Sequence, residues 1–317
     1  MHALSLAPDL AVREIDVPRR RPGEALIRVS LAGVCNTDLE LVKGYMGFSG
    51  VLGHEFVGHV VEADSPAWVG KRVNGEINLG CGHCDVCAHG LARHCPQRTV
   101  LGILGKDGCF AEYVTLPERN LFEVPRELSD EAAVFTEPLA AAHEILEQVR
   151  VASGQRCLVL GDGKLGLLCA LVLSGVGAQV HLVGKHGAKL ELARRRGVTV
   201  YQLPDRPAGS FDLVVEATGS AQGLKSAVEA TRPRGTLVLK STFHGAVSLE
   251  TAPIVIHELT LVGSRCGPFA PALEAMRAQR IDPTPLISQR FALPDATRAF
   301  EAASTKGCLK VLLDPLL

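Results

Sequence analysis

A glycine-rich turn between an apolar run and a helical run narrows the folds open to this chain more than any other feature. Residues 159–166 read V-L-G-D-G-K-L-G and carry the spacing G-x-G-x-x-G. In such a turn Gly161 allows tight bending, Gly163 lets the backbone approach a pyrophosphate, and Gly166 permits close packing of helix on strand. The free N–H groups that begin the helix then meet the phosphates. Because glycine accounts for 32 residues, the spacing alone is a weak signal and its context decides.

That context is an alternation of helical and strand-like runs beginning near Leu139. Helical patterns lie among short apolar runs at residues 156–160, 179–183, 211–215, 236–239 and 260–262. Strands that alternate with helices form parallel sheets through crossover connections. Residues 24–124 instead alternate short β-type runs with loops rich in glycine and cysteine, a texture typical of an irregular β unit. We therefore predict two domains, the second of which binds a dinucleotide.

The strand after the glycine turn lacks the acidic residue that usually binds the adenosine ribose about 20 residues further on. Residues 179–183 are followed by Gly184, Lys185 and His186, and Lys189 comes soon after. A small residue followed by cations leaves room for a 2′-phosphate and offers charge to bind it. We therefore expect NADP(H) to be preferred, with NAD(H) possible, and expect Gly184→Asp to shift the preference towards NAD. The competing interpretation makes both lysines ordinary solvated residues.

Four cysteines with short spacing interrupt the β-rich part. Cys81, Cys84, Cys87 and Cys95 follow C-x2-C-x2-C-x7-C among turn-forming glycines. Four thiolates can enclose Zn²⁺ in a tetrahedron with no open position, which makes such a site structural. Disulfides, an iron–sulfur cluster and a zinc-ribbon nucleic-acid module are the alternatives; a non-secretory compartment disfavours the first, and few basic neighbours the third. We predict a structural zinc lobe at about 78–98.

A second possible metal set is scattered along the chain. Cys35 lies in G-V-C-N-T-D, His54 and Glu55 in G-H-E-F-V-G, and Glu137 in T-E-P-L-A. One thiolate, one imidazole and one carboxylate would give zinc three protein ligands and the open position that catalysis requires. Taken singly, they are better explained as a small core thiol, a hydrogen-bonded loop histidine and a carboxylate at a helix start.

Together the motifs resemble the zinc-containing medium-chain dehydrogenases, the superfamily of alcohol, sorbitol, threonine and archaeal glucose dehydrogenases. The resemblance covers nearly the whole chain and rests on motifs in family order: Gly53-His54-Glu55 with Gly58, the four cysteines, Asp107-Gly108 through Ala111-Glu112-Tyr113, Glu137-Pro138-Leu139, the glycine turn and Glu216-Ala217-Thr218-Gly219. It implies an α/β chain with an irregular β-rich GroES-like catalytic domain at 1–138. A Rossmann domain with a doubly wound parallel sheet would follow at 139–266, and residues 267–317 would return to the catalytic domain.

The resemblance also implies a catalytic zinc site. Cys35, His54 and Glu137 would surround this zinc, with Glu55 close enough to exchange onto it, so two zinc ions are expected per chain. Asp38 would orient the imidazole of His54 from behind. Glutamate at position 137, where liver-type alcohol dehydrogenases carry cysteine, resembles the polyol and sugar branch.

Further residues receive roles from the resemblance. Thr37 would hydrogen-bond the substrate hydroxyl and begin proton release. Glu40 stands where many relatives carry histidine as the outer step of a proton relay, and a solvated surface charge is an equal alternative. The remaining expected cofactor contacts are Leu165 behind the nicotinamide ring, Thr218 and Gly219 in the cleft, and Lys164, which replaces a frequent proline, at a phosphate.

Composition bears on partners and location. A formal net charge of −1 and 4% aromatic residues argue against nucleic-acid binding. The apolar stretch 157–183 is interrupted by Asp162, Lys164 and glycines, so we expect no membrane span. Residues 1–10 lack the pattern of a signal peptide, which favours a cytoplasmic location. Relatives are dimers or tetramers, so a homo-oligomer is expected.

The function expected from the sequence is hydride transfer between a small-molecule secondary alcohol, or its carbonyl, and NADP(H). A polyol, sugar or sugar acid is the preferred substrate class. An NAD-linked amino-alcohol enzyme of the threonine type, or a simple alcohol dehydrogenase, is the alternative within the class. A non-catalytic zinc and nucleotide binder is the alternative of another class, and the intact set of Cys35, Thr37, His54 and Glu137 argues against it.

Overall fold

The computed structural model describes residues 1–242 and 247–317, which form two compact units. Unit 1 comprises Met1–Glu137 and Asp282–Leu317, and unit 2 comprises Pro138–Ile281. From the sequence we expected the inserted domain to end at residue 266, whereas unit 2 continues through Ile281. Gly267 lies against the part of α4 (Thr136–Gln148) that belongs to the same unit, so close to the backbone of Ala140 that a Cβ atom would be 1.9 Å from the Ala140 carbonyl oxygen.

A seven-stranded sheet forms the body of unit 1. Its path runs through β10 (Leu121–Glu123), β5 (Arg72–Gly75), β4 (Glu55–Glu62), β3 (Glu24–Val34), β18 (Lys310–Asp314) and β17 (Ile287–Ala292), and β9 (Tyr113–Pro117) also pairs with β3. The pairs are antiparallel except β17 with β18, which is parallel. Val311 of the C-terminal strand lies opposite Val34 of β3, so the last segment of the chain is built into this sheet.

Smaller elements complete unit 1. The strands are β1 (His2–Leu6) with β2 (Leu10–Glu14), and the three-stranded group β6 (Asn78–Leu79), β7 (Thr99–Leu101) and β8 (Gly105–Lys106). The helices are α1 (Asn36–Val42), α2 (Asp85–Ala88), α3 (Asp130–Ala133) and α10 (Ala296–Ser304). Short 3₁₀ turns occur at Tyr45–Gly47, Ala92–His94, Glu118–Asn120, Thr284–Leu286 and Leu293–Asp295.

Unit 2 is a six-stranded parallel sheet with helices between its strands. The strand order is β13 (Thr199–Gln202), β12 (Gln179–Gly184), β11 (Arg156–Leu160), β14 (Phe211–Glu216), β15 (Thr231–Leu239) and β16 (Thr260–Gly263). The helices are α5 (Lys164–Gly175), α6 (Gly187–Arg194), α7 (Ala221–Ala230), α8 (Ala252–Ile256) and α9 (Phe269–Arg277). A further helix, α4 (Thr136–Gln148), begins in unit 1. No helix in the described parts of the chain combines the length and the apolar character needed to cross a membrane.

The strand order of unit 2 indicates where a ligand binds. From β11 the chain adds β12 and β13 on one side and then β14, β15 and β16 on the other. Open α/β sheets bind ligands at the carboxyl ends of the strands where the order reverses, which here is between β11 and β14. The predicted fold class, a β-rich unit with a doubly wound parallel-sheet unit, is confirmed.

Candidate functional site

The four-cysteine lobe brings its thiols together within unit 1. The sulfurs of Cys81, Cys84, Cys87 and Cys95 all lie within 4.8 Å of one another, and all four cysteines are free. Two of the Sγ–Sγ distances are 4.0 Å (Cys81–Cys87) and 3.7 Å (Cys84–Cys95). Zinc–sulfur bonds of ~2.3 Å in a tetrahedron place the sulfurs roughly 3.8 Å apart. The donor set and its spacing therefore fit a closed zinc site.

Electrostatics in the lobe also favour a cation. Backbone hydrogen bonding from His83 leads the effects that lower the pKa of the Cys81 thiol to about 6. The N–H of Gly82 favours the Cys87 thiolate, but burial and the neighbouring sulfurs outweigh it and raise the pKa of Cys87 to about 11. Crowded thiols cannot all ionise next to one another unless a positive charge lies among them.

A second cluster forms where β3 ends and β4 begins; we call it the Cys35 cluster. Its donors are the thiol of Cys35, the imidazole of His54 and the carboxylate of Glu55, all within 4.8 Å of one another. Cys35 follows the last residue of β3 and caps α1, while Glu55 is the first residue of β4. Gly53 has a φ of +96°, and a Cβ there would lie 2.4 Å from the Phe110 ring, which explains the glycine of the G-H-E motif.

Asp38 lies directly behind this cluster. Its Oδ2 accepts a hydrogen bond of 2.8 Å from the N–H of Cys35, and its Oδ1 lies 3.2 Å from Nδ1 of His54. Both side chains are almost fully buried. Burial lowers the pKa of His54, but the Asp38 carboxylate outweighs it and raises that pKa well above its usual range. A metal binds neutral imidazole, so metal binding to a protonated His54 would release a proton.

Glu137 does not join the close donor set found among the described residues, although the resemblance places it on the metal. Loss of water around its carboxyl raises the pKa of Glu137 to about 7; His54 lowers it, and Glu55 raises it further. The preceding residue, Thr136, donates to the carbonyl of Ala133 (2.7 Å) and accepts from the Asn74 amide (2.6 Å). This buried pair fixes the backbone from which the Glu137 side chain extends.

The two proposed proton-handling residues both lie on α1. The Oγ1 of Thr37 is 3.8 Å from Sγ of Cys35, so its hydroxyl lies beside the cluster. Glu40 is partly exposed and forms an ion pair of 2.9 Å with Lys43 one turn further along the helix. The structure therefore places Thr37 at the donors and gives Glu40 a cationic partner on the surface of α1.

A cavity of about 450 Å³ lies at the carboxyl ends of the strands of unit 2. Among the predicted cofactor residues, its lining includes Gly161, Gly163, Gly184, Lys185, His186, Lys189 and Thr218, but not Lys164, Leu165, Gly166 or Gly219. A Cβ at Gly161, whose φ is +115°, would come within 2.4 Å of the Ala217 carbonyl oxygen. At Gly163 nothing lies within 4 Å of such an atom, which leaves open space for a ligand.

The E-A-T-G motif closes one edge of this cavity. Oε1 of Glu216 accepts hydrogen bonds from the N–H of Thr218 (2.7 Å) and from its hydroxyl (2.5 Å). The next N–H, that of Gly219, donates to the Ser241 hydroxyl at 2.9 Å. These bonds fix the loop after β14, so the motif shapes the wall of the cavity.

Comparison with known proteins assigns the chain to a family. The model for an alcohol dehydrogenase GroES-like domain matches residues 21–126, and that for a zinc-binding dehydrogenase matches residues 165–278. An L-threonine 3-dehydrogenase of Streptomyces avermitilis is 32% identical over 335 residues, which cover 97% of this chain and 96% of that protein. The chain belongs to the zinc-containing medium-chain dehydrogenases. It is an NAD(P)-linked alcohol dehydrogenase that acts on CH–OH donors.

Other relatives of this dehydrogenase differ in substrate and cofactor. A sorbitol dehydrogenase of Halalkalibacterium halodurans is 27% identical, with 96% of each chain covered. A zinc-binding dehydrogenase of Sinorhizobium meliloti 1021 bound to NADP superposes with a TM-score of 0.91 at 29% identity, with 99% of each chain covered. An alcohol dehydrogenase of E. coli CFT073 complexed with NADH superposes at 0.90 and 27%, with 96% of each chain covered.

Sequence reasoning missed Lys310 of this dehydrogenase. Its side chain is 1% exposed, and its ammonium forms an ion pair with Oε2 of Glu55 and lies 5.4 Å from the centroid of the Phe135 ring. The other carboxylate oxygen of Glu55 is buried without a hydrogen-bond partner among the described residues, and a cation beside Cys35 and His54 would compensate it. A lysine within the apolar run L-K-V-L-L near the C-terminus was the available signal.

Arg206 was also missed. It lies in the segment after β13, lines the nucleotide cavity, and donates from Nη1 to the Ser226 hydroxyl at 3.2 Å. With Lys185 and Lys189 it makes the cavity wall cationic. Sequence reasoning stopped at Lys189 in α6, whereas this arginine follows the next strand in the chain.

The structure corrects one expectation about selectivity. A Cβ atom at Gly184 would lie 2.5 Å from Cβ and 2.7 Å from Oδ2 of Asp162. Gly184→Asp would therefore displace the Asp162 side chain instead of simply adding a carboxylate. The substitution cannot test cofactor selectivity in the simple way expected from the sequence, because Asp162 already fills that space.

Proposed function

We propose that this dehydrogenase oxidises a secondary alcohol group of a polyol, sugar or sugar acid, or reduces the matching carbonyl, with NADP(H) as the preferred cofactor. The observation that carries the cofactor preference is the cationic wall of the nucleotide cavity, to which Lys185, Lys189 and Arg206 contribute. Three cationic residues that line the same cavity as the Asp162 carboxylate suit a 2′-phosphate better than two uncharged hydroxyls. The NADP-bound relative from S. meliloti supports the same choice.

We propose two zinc ions per chain. Cys81, Cys84, Cys87 and Cys95 would hold the structural ion, since their four sulfurs are already gathered and offer no open position. Cys35 and His54 would hold the catalytic ion with one carboxylate. Glu55 is the carboxylate next to them, and Glu137, whose pKa is raised to about 7, is the proposed exchange partner.

Zinc at the Cys35 cluster would supply a Lewis acid that lowers the pKa of a substrate hydroxyl. Thr37, with its hydroxyl beside Cys35, would accept the hydrogen bond of that substrate hydroxyl and begin to lead the proton away. Asp38 keeps the imidazole of His54 oriented, and Lys310 balances the charge of Glu55. Glu40 is the proposed outer proton acceptor, held by Lys43. The nicotinamide supplies the hydride chemistry.

The test is nicotinamide absorbance of the zinc-loaded protein with both cofactors against polyols, sugars, sugar acids, simple alcohols and L-threonine. Turnover with NADP and one polyhydroxy class is expected. The sorbitol dehydrogenase relative supports that class, whereas the L-threonine 3-dehydrogenase relative favours an NAD-linked amino-alcohol enzyme as the second candidate. Faster turnover of L-threonine with NAD would replace the first proposal by the second. Metal analysis of the same sample should give two zinc ions per chain.

We further infer a homo-oligomer built on the edge of the unit 2 sheet. β16 is the last strand in the sheet order, and the neighbouring helix α8 exposes Val255 and Ile256, each 73% accessible. Within residues 1–242 and 247–317 no further strand pairs with the outer edge of β16, and such an edge beside exposed apolar side chains is a surface that a second copy can cover. Light scattering of the wild type should give at least a dimer, and Val255→Glu with Ile256→Glu should give a monomer.

Because all ten cysteines are free, we also propose a cytoplasmic location.

A further inference from the structure

Asp162 has no assigned role in the glycine turn, yet it is the centre of a compact hydrogen-bond group. Its Oδ2 accepts from the backbone N–H groups of Lys185 (2.9 Å) and His186 (2.6 Å) and lies 3.0 Å from Nδ1 of His186. The carboxylate is 10% exposed and lines the nucleotide cavity. A carboxylate therefore lies at the end of β12, but it belongs to Asp162 of the glycine turn and not to a residue that follows β12.

Three further bonds hold the same loop from other sides. The Gln202 amide donates to the carbonyl of Lys185 at 3.3 Å, and the N–H of Leu203 donates to the carbonyl of Gly184 at 2.9 Å. The N–H of Gly161 donates to the carbonyl of Val183 at 2.9 Å. Together with Asp162, these contacts fix consecutive residues of the turn before any ligand enters. Preorganised groups bind more tightly because they lose less freedom on binding.

A carboxylate at this place can act in two opposite ways. A free one would bind ribose hydroxyls and repel a 2′-phosphate, which would select NAD. Here Oδ2 accepts two backbone N–H groups and lies 3.0 Å from Nδ1 of His186, so hydrogen bonding compensates part of its charge. The cations that line the cavity are Lys185, Lys189 and Arg206, and their combined charge exceeds that of the single acid.

We propose that Asp162 is a positioning residue for the 2′-phosphate of NADP(H), since it fixes the turn that presents Lys185 and His186. The inference rests on the proposed NADP preference. An acid near the end of this strand usually repels a 2′-phosphate, so its removal would strengthen phosphate binding. For Asp162 we expect the opposite: removing the carboxylate weakens binding of the 2′-phosphate. Asparagine retains the function, because its amide oxygen accepts the same two N–H groups.

The experiment is calorimetric titration of the full-length, zinc-loaded protein with 2′,5′-ADP and with 5′-AMP. These two probes differ only in the 2′-phosphate and need neither turnover nor nicotinamide binding. For Asp162→Ala we expect affinity for 2′,5′-ADP to fall at least about tenfold and affinity for 5′-AMP to change less than about threefold. Asp162→Asn should stay within about threefold of the wild type for both probes.

Asp212 offers a matched control. Its carboxylate also accepts a backbone N–H, that of Arg156 at 3.0 Å, but it lies at the start of β14 and outside the cavity lining. Asp212→Ala should leave the ratio of the two affinities unchanged. Melting curves of every variant show whether a change in affinity follows a loss of folding.

Three outcomes overturn the inference. Equal weakening of both probes in Asp162→Ala would make the residue a general support of the turn, and an unchanged ratio with unchanged affinities would make it irrelevant to the cofactor. Tighter binding of 2′,5′-ADP by Asp162→Ala and Asp162→Asn would show that the carboxylate repels phosphate. Failure of the NADP proposal would appear in the wild type itself, as 5′-AMP binding at least as tightly as 2′,5′-ADP.

Discussion

The two candidate metal clusters of unit 1 gather their donor atoms in opposite ways. The cysteine lobe takes all four thiols from one short segment, Cys81 to Cys95, and its donors are alike. The Cys35 cluster takes its donors from the end of β3 and the start of β4, and Lys310 reaches it from the last strand. Charges alternate there, with Asp38 beside His54 and Lys310 beside Glu55. A closed site can be encoded by local spacing, whereas a site with an open position depends on the finished sheet.

The largest expected effect separates the clusters by activity. Cys35→Ser should lower kcat/KM at least about 10³-fold, because metal stabilisation of transition-state charge is worth several kcal/mol and each ~1.4 kcal/mol is tenfold. The melting temperature should change less than on loss of a cysteine of the lobe, since Cys35 is only partly buried. Cys308→Ser, a partly exposed thiol outside both clusters, serves as the control. Activity within tenfold of the wild type would remove Cys35 from the catalytic site.

The second effect separates the clusters by stability. Cys95→Ser should lose one zinc ion and lower the unfolding free energy by more than ~3 kcal/mol, because loss of a structural metal belongs to the largest single-residue effects. Cys95 is the fully buried member of the lobe. Metal analysis and urea unfolding provide the measurements, with Cys308→Ser again as control. Two zinc ions retained at full stability would mean that the lobe needs only three thiols.

The third effect tests whether the Cys35 cluster is balanced in charge. Lys310→Met leaves Glu55 buried without its cation, which typically costs ~3–5 kcal/mol. In zinc-loaded protein the loss should be smaller, because a metal beside Glu55 replaces the missing charge. Urea unfolding with and without zinc measures the difference, and Glu55→Gln in the same background should restore much of the loss. Identical losses in both conditions would place Glu55 away from the metal.

The contrast also explains what could be predicted from the sequence. The lobe and the glycine turn are local, so spacing indicated the residues of the lobe, and spacing within an alternation of strands and helices indicated those of the turn. Lys310 is 255 residues from its partner Glu55, and only pairing of β18 with β3 brings the C-terminal strand to the cluster. A sequence likewise cannot show that Asp162 fills the space beside Gly184, because the two residues meet only when β11 and β12 pair.

The choice between Glu55 and Glu137 was beyond sequence reasoning for a related reason. Both are carboxylates next to recognisable motifs; the resemblance implied Glu137 as a ligand and Glu55 as a carboxylate close enough to exchange onto the metal. The fold instead places Glu55 within 4.8 Å of the other two donors among the described residues. Glu55 also forms an ion pair with Lys310, a contact between β4 and the C-terminal strand.

The fourth effect depends on pH and concerns Glu137. Its pKa is raised from 4.5 to about 7, so between these values the folded state holds a proton that the unfolded state has released. Stability of zinc-free protein should therefore fall as pH rises from about 4.5 to 7, by an amount on the order of 1–3 kcal/mol. Glu137→Gln should lack this contribution. Urea unfolding of both proteins across this range gives the difference; parallel curves would refute the shift.

The smallest effect concerns the periphery of the Cys35 cluster. Glu40→Gln removes the proposed outer proton acceptor on α1 but no donor of the cluster, so we expect kcat to fall less than about tenfold. If Glu40 carries protons, the loss should be greatest at low pH and added small buffers should reverse part of it. Lys43→Gln is the matched control, because it breaks the same ion pair and leaves the carboxylate in place. Equal losses in the two variants, insensitive to buffer, would make the pair a surface ion pair of α1. In that case Thr37, whose hydroxyl lies beside Cys35, would pass the substrate proton directly to solvent. The proton path of the Cys35 cluster, a feature that the closed lobe lacks, would then consist of this one hydroxyl.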